Sequence, residues 1–162
     1  MTRTNPDRHR FEIVRSDGTT ETADLETRSM LVHDLVHYAV EMEVPFREGF
    51  YGLLARGKGL SELNDNTQPW PVGTEIAAAE SLVGPLQSML KTGDFDATAA
   101  RAKFVIYRPD PPPLDLLERI GQRFRSVHGR YLATRFGETL ELEWPEGQTT
   151  RPDERRNDKR RS

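Results

Sequence analysis

Cysteine is absent from the 162 residues, which excludes disulfides, thiolate nucleophiles and cysteine-ligated zinc or iron–sulfur sites. Any metal held by this chain must sit on His, Asp or Glu. Long apolar runs are missing too. Charge interrupts each within about six residues, far short of the roughly 20 that span a bilayer. The opening MTRTNPDRHR has no apolar signal core. Together these absences point to a cytoplasmic protein with no membrane partner. Lysine is scarce beside arginine, the bias expected of a GC-rich bacterial source. No Gx[ST]xG turn is present to expose a serine nucleophile.

What charge there is divides unevenly. Six basic and three acidic residues fall between Thr150 and Ser162, leaving −6 on residues 1–149 of a chain whose net charge is −3. An acidic body opposes a grip on phosphate backbones, which needs clustered Lys and Arg. Only the basic tail is a candidate for nucleic acid. Residues 146–162 have no aliphatic or aromatic side chain to bury, so they read as a disordered charged tail. Residues 1–9 read as a flexible arm, and residues 10–145 as a single domain.

Alternation around Asp17-Gly18 predicts an N-terminal β-hairpin. Ser29 then stands where an N-cap belongs, ahead of a helix reaching Met42, and Pro45 stops that helix. A second helix is expected over Glu48–Ala55. A third follows Thr74 and meets Gly84-Pro85, where a kink or break is expected. Helical stretches follow at ATAARAKFVIY and from Leu114, the last closed by Gly129. RYLATRF and TLELEW, joined at Gly137, read as a second hairpin. Strands segregated from helices imply α+β, with both hairpins sharing one antiparallel four-stranded sheet packed against a layer of helices.

The first helix carries the most chemistry. At about 100° per residue, His37 lies about 40°, Glu41 about 80° and Asp34 about 100° from His33. The rest of Leu31–Met42 is apolar or Tyr. A polar strip made only of imidazoles and carboxylates can ligate a divalent metal such as zinc or pass protons. On this reading His33, His37 and Glu41 are the metal ligands, and Asp34 is the catalytic base or an orienting partner. The alternative gives the strip a structural role, in which buried histidines simply bond to neighbouring carboxylates.

HDLVH is similar to the HExxH helix of zinc peptidases, with Asp34 in the general-base place and no third-ligand motif downstream. LVHDLVH resembles an element of the HD-domain phosphohydrolases. The preceding hairpin, with His9 as the only earlier histidine, departs from that all-helical family. The longer run HDLVHYAVEMEVPFREGFYGLLA resembles an HDLxHxxVE…GFxGxxA segment of small bacterial proteins with no assigned activity. That resemblance implies that His33, Asp34, His37, Glu41, Gly49, Phe50 and Gly52 form one unit.

Other motifs carry less. GLLARGKG fits GxxxxGK but has Gly59 where a phosphate loop needs Ser or Thr, and it reads as a helix end. Asp94 and Asp96 are expected to cap the helix after them, His128 is a distant candidate ligand, and Trp144 continues the apolar face of Leu140 and Leu142. Two functions are consistent with these residues. One is a small non-enzymatic binding or interaction domain whose ligand the sequence does not name, a protein being one candidate partner. The other is a metal-dependent hydrolase built on the HDLVH helix.

Overall fold

The computed structural model describes residues 1–65 and 67–145; the expected charged tail, residues 146–162, lies outside them. Strands β1 (Thr2–Arg3), β2 (Arg8–Val14) and β3 (Thr20–Glu26) come first. A π-helical turn over Thr27–Leu31 runs into α1 (Val32–Glu43). Helices α2 (Phe50–Ala55), α3 (Leu60–Leu63), α4 (Glu75–Lys91), α5 (Ala97–Tyr107) and α6 (Leu114–Ala133) follow. The class is α+β, with an antiparallel sheet in the order β1-β2-β3. No helix among the described residues is long and apolar enough to cross a membrane.

The β2–β3 hairpin forms as the alternation requires, in register from Arg8↔Glu26 to Val14↔Thr20. Gly18 takes the positive φ, 83°, that its turn demands. Asp17 accepts the Thr19 N–H at 2.9 Å. Alternate residues His9 and Phe11 point inward and are buried. Within the expected N-terminal arm, Thr2–Arg3 join the sheet as β1. Asn5 Oδ1 accepts the N–H groups of Asp7 and Arg8, each at 2.9 Å, and this side-chain-closed turn sends Thr2–Arg3 back along β2.

Among the described residues the sheet has three strands and not the expected four from two hairpins. The second hairpin fails at RYLATRF, because α6 continues through Gly129 to Ala133. Extending the helix carries Tyr131 into the core beside Leu117, Ile120, Phe124 and Val127. Burying one large side chain is worth about 1.5–3 kcal/mol, which outweighs the ~1 kcal/mol penalty of a helical glycine. The C-terminal segment pairs with β1 through an isolated bridge, Thr2↔Thr139. Around it, Leu140 donates to Met1 O at 2.9 Å and Arg3 to Glu138 O at 3.0 Å. Leu140 is buried, and Leu142 and Trp144 pack beside it.

Helix α1 is the hub, packed on both α4 and α6, and everything from Asp34 to Glu41 is buried. Ser29 is not its N-cap. That residue lies within the π turn, and its hydroxyl donates to Glu26. Helix α4 runs unbroken past Pro85 and is capped by Thr74, whose Oγ1 accepts the Ala77 N–H at 3.3 Å. Asp96 caps α5 by accepting the Ala99 N–H at 2.7 Å.

Gly129 lies inside α6, and a Cβ added there would meet nothing within 4 Å. Gly129→Ala is therefore expected to stabilise the domain by about 0.5–1 kcal/mol, read as a rise in urea midpoint at constant m. A helix that ended at this glycine would instead be destabilised.

Candidate functional site

Glu41 is completely buried near the end of α1, and three donors hold its carboxylate. The Phe50 N–H reaches Oε1 at 2.8 Å, the Tyr51 N–H reaches Oε2 at 3.0 Å, and His37 Nδ1 lies 3.0 Å from Oε1. The first two are N–H groups that open α2, which no residue of its own caps. The carboxylate comes so close to the chain that a Cβ on Gly49 would lie 2.5 Å from Glu41 Cδ. A Cβ on Gly52 would lie 2.1 Å from the Arg47 carbonyl oxygen. Both positions therefore need glycine for space. Sequence reasoning made Glu41 a third metal ligand. In the structure its oxygens meet His37 Nδ1 and the N–H groups that open α2.

The two histidines stand one helical turn apart, with ring centroids 4.5 Å from each other, and the Phe50 ring packs on His37 at 5.1 Å. Each is held through Nδ1 by a carboxylate of its own helix: His37 by Glu41, and His33 by Asp34 Oδ1 at 3.1 Å. That leaves Nε2 of each imidazole as the nitrogen able to bind an ion. His37 Nε2 lies 3.2 Å from Glu80 Oε1 on α4. This is ion-pair distance, yet the nitrogen makes no well-directed hydrogen bond. His33, His37 and Glu80 each present a donor atom, all within 4.8 Å of one another. Tetrahedral zinc with ligand bonds of about 2.0–2.1 Å places its donors roughly 3.3 Å apart. One pair is already at that spacing, and the His33 donor lies within 4.8 Å of both.

Helix α4 contributes twice. Glu75 Oε2 accepts the backbone N–H groups of Arg47 and Glu48, pinning the loop between α1 and α2. Glu80 then completes the cluster. Sequence reasoning missed both, although they are the only charged residues of α4 before Lys91. His128 stacks on Phe124 at 5.2 Å within α6 and does not belong to the group. Asp34 is also buried, with its backbone carbonyl accepting from Tyr51 OH at 3.1 Å.

No family model matches this chain. Comparison with curated proteins and with solved structures gives no match either.

Electrostatics follow the geometry. Burial alone would push the His37 imidazole down, but its contacts with Glu41 and Glu80 outweigh that and raise it to about 9. Burial pushes Glu80 up, and the opposing pull of His37 holds it below the ordinary glutamate value. Without metal, His37 is thus an imidazolium clamped between two carboxylates.

Two outcomes are expected. Gly49→Ala should destabilise the domain by about 1–3 kcal/mol because the fully bonded Glu41 has nowhere to retreat, as denaturant titration would show. In excess chelator, a folded-state value raised above the unfolded 6.5 gives a contribution present below about pH 6.5. It is lost as pH rises toward about 9. Melting temperatures across that window should fall for wild type, and His37→Gln should flatten the fall.

Proposed function

We propose that the chain is a divalent-metal-binding domain of hydrolytic type, with His33, His37 and Glu80 as ligands and zinc as the ion that suits them best. One observation carries the reading. Both imidazoles are oriented by carboxylates at Nδ1, and His37 Nε2 faces Glu80 Oε1 at 3.2 Å. A carboxylate behind each histidine fixes its tautomer and sharpens its basicity toward metal. Two histidines and one glutamate are a donor set of catalytic zinc, which keeps a further position for water.

The access fits that role. The His33 side chain is 24% exposed and Glu80 is 37% exposed, while His37 is fully buried, so the cluster faces solvent on one side. Asp34 is committed to His33 and only 1% exposed. On this reading it orients a ligand and is not the general base, and Glu41 plays the same part for His37. The interaction-domain reading keeps one observation in its favour. Val105, Ile106 and Tyr107 stand exposed at the end of α5, where a partner protein could cover them.

Elemental analysis of untagged protein, with zinc titration of the chelated form, decides between the two. The metal reading expects one zinc per chain. His33→Gln, His37→Gln and Glu80→Gln should each abolish binding, and Glu41→Gln should weaken it about 10- to 100-fold. Failure of the wild type to take up zinc, cobalt or manganese would leave the interaction domain as the surviving function.

A further inference from the structure

Three buried polar atoms make no well-directed hydrogen bond among the described residues and belong to elements that meet at the start of α1. They are Nε2 of His9 on β2, Oδ2 of Asp34 on α1 and the hydroxyl of Tyr131 on α6. His9 and Asp34 have no exposure, and Tyr131 has 2%. The His9 ring lies edge-on to Tyr131 with centroids 6.2 Å apart, and the Asp34 charge is felt at the imidazole. His9 Nδ1 is engaged by Thr27 Oγ1 at 3.2 Å, and Asp34 Oδ1 by His33. His9 and Asp34 are thus each tied on one side and orphaned on the other, and the Tyr131 hydroxyl lies beside the Thr27 side chain.

Buried polar groups are almost always satisfied, and an orphan costs its full desolvation. Whatever satisfies these three must donate to a carboxylate while also bonding an imidazole and a phenol. An anion is repelled by Asp34. Water both donates and accepts, and internal waters typically make about three hydrogen bonds to groups of this kind.

We propose that His9 Nε2, Asp34 Oδ2 and Tyr131 OH enclose one internal water, and that through it His9 is a positioning residue for His33. The chain of bonds then runs Thr27, His9, water, Asp34, His33. The water holds the Asp34 carboxylate so that its other oxygen stays on His33 Nδ1, which turns Nε2 toward the ion. The first half stands on the buried atoms alone; the second rests on the metal reading above.

The experiment has two arms on the full chain. In metal-free protein, oxygen-17 relaxation dispersion and water–amide NOEs should show a long-lived internal water, lost in His9→Phe and in Tyr131→Phe. In the second arm, zinc affinity is measured by competition with a chelator. His9→Phe should bind about 10- to 100-fold more weakly. His9→Gln, whose amide still bonds water, should recover to within about threefold of wild type, although both variants alter the same core position. If His9→Phe does not fold, Tyr131→Phe removes only a hydroxyl and should still lose the water signal with several-fold weaker zinc binding. No long-lived water in wild type overturns the first half. Equal zinc affinity in wild type and His9→Phe, with the water confirmed, overturns the second alone. A wild type that holds the water and binds no zinc shows that the metal reading has failed, and the positioning role falls with it.

Discussion

The Glu41 carboxylate is the constraint on which the rest of the site depends. Placed in the core, it is satisfied by two backbone N–H groups of α2 and one imidazole nitrogen. An unpaired buried carboxylate would be strongly destabilising, so the three donors are bound to the geometry as firmly as the carboxylate is. The close turn at Gly49 and the seating of the Phe50 ring on both histidines follow from it. So does the orientation of His37.

That one group also joins fold to chemistry. The corner between α1 and α2 is closed from inside by Glu41 and from α4 by Glu75, which takes the N–H groups of Arg47 and Glu48 in the loop before α2. Five residues further along α4, Glu80 faces the imidazole that Glu41 orients. A cluster held on rigid helices by carboxylates that are themselves bonded has little freedom to rearrange, which is the preorganisation a metal ligand set requires. The π turn before α1 belongs to the same construction, since it brings Thr27 to His9 while α1 presents Asp34.

Failures of sequence reasoning here have physical causes. Gly129 is a good stop signal only when nothing beyond it wants burial, and Tyr131 did. The arm before His9 looked unstructured because β1 is only two residues long, and its pairing depends on a side-chain turn at Asn5 and on a C-terminal segment distant in sequence. The polar strip of α1 was legible as a unit, since helical periodicity alone puts His33, Asp34, His37 and Glu41 together. Which contacts each of them makes was not legible, because that depends on what each oxygen and nitrogen meets across the core.

By itself the sequence determined the features whose partners lie within a few residues. These are the Asp17-Gly18 hairpin, the caps at Thr74 and Asp96, the buried helix with its imidazole and carboxylate strip, and the exclusion of any thiolate site. Tertiary structure alone decided that Glu41 turns inward to cap α2, that Glu80 from α4 stands beside His37, and that His9 meets Thr27 and Tyr131. Those outcomes are set by the packing of α1 against α4, α6 and the sheet, where burial chooses which polar groups must find one another. Local periodicity fixes a side chain's direction around its own helix and says nothing of what waits on the other side.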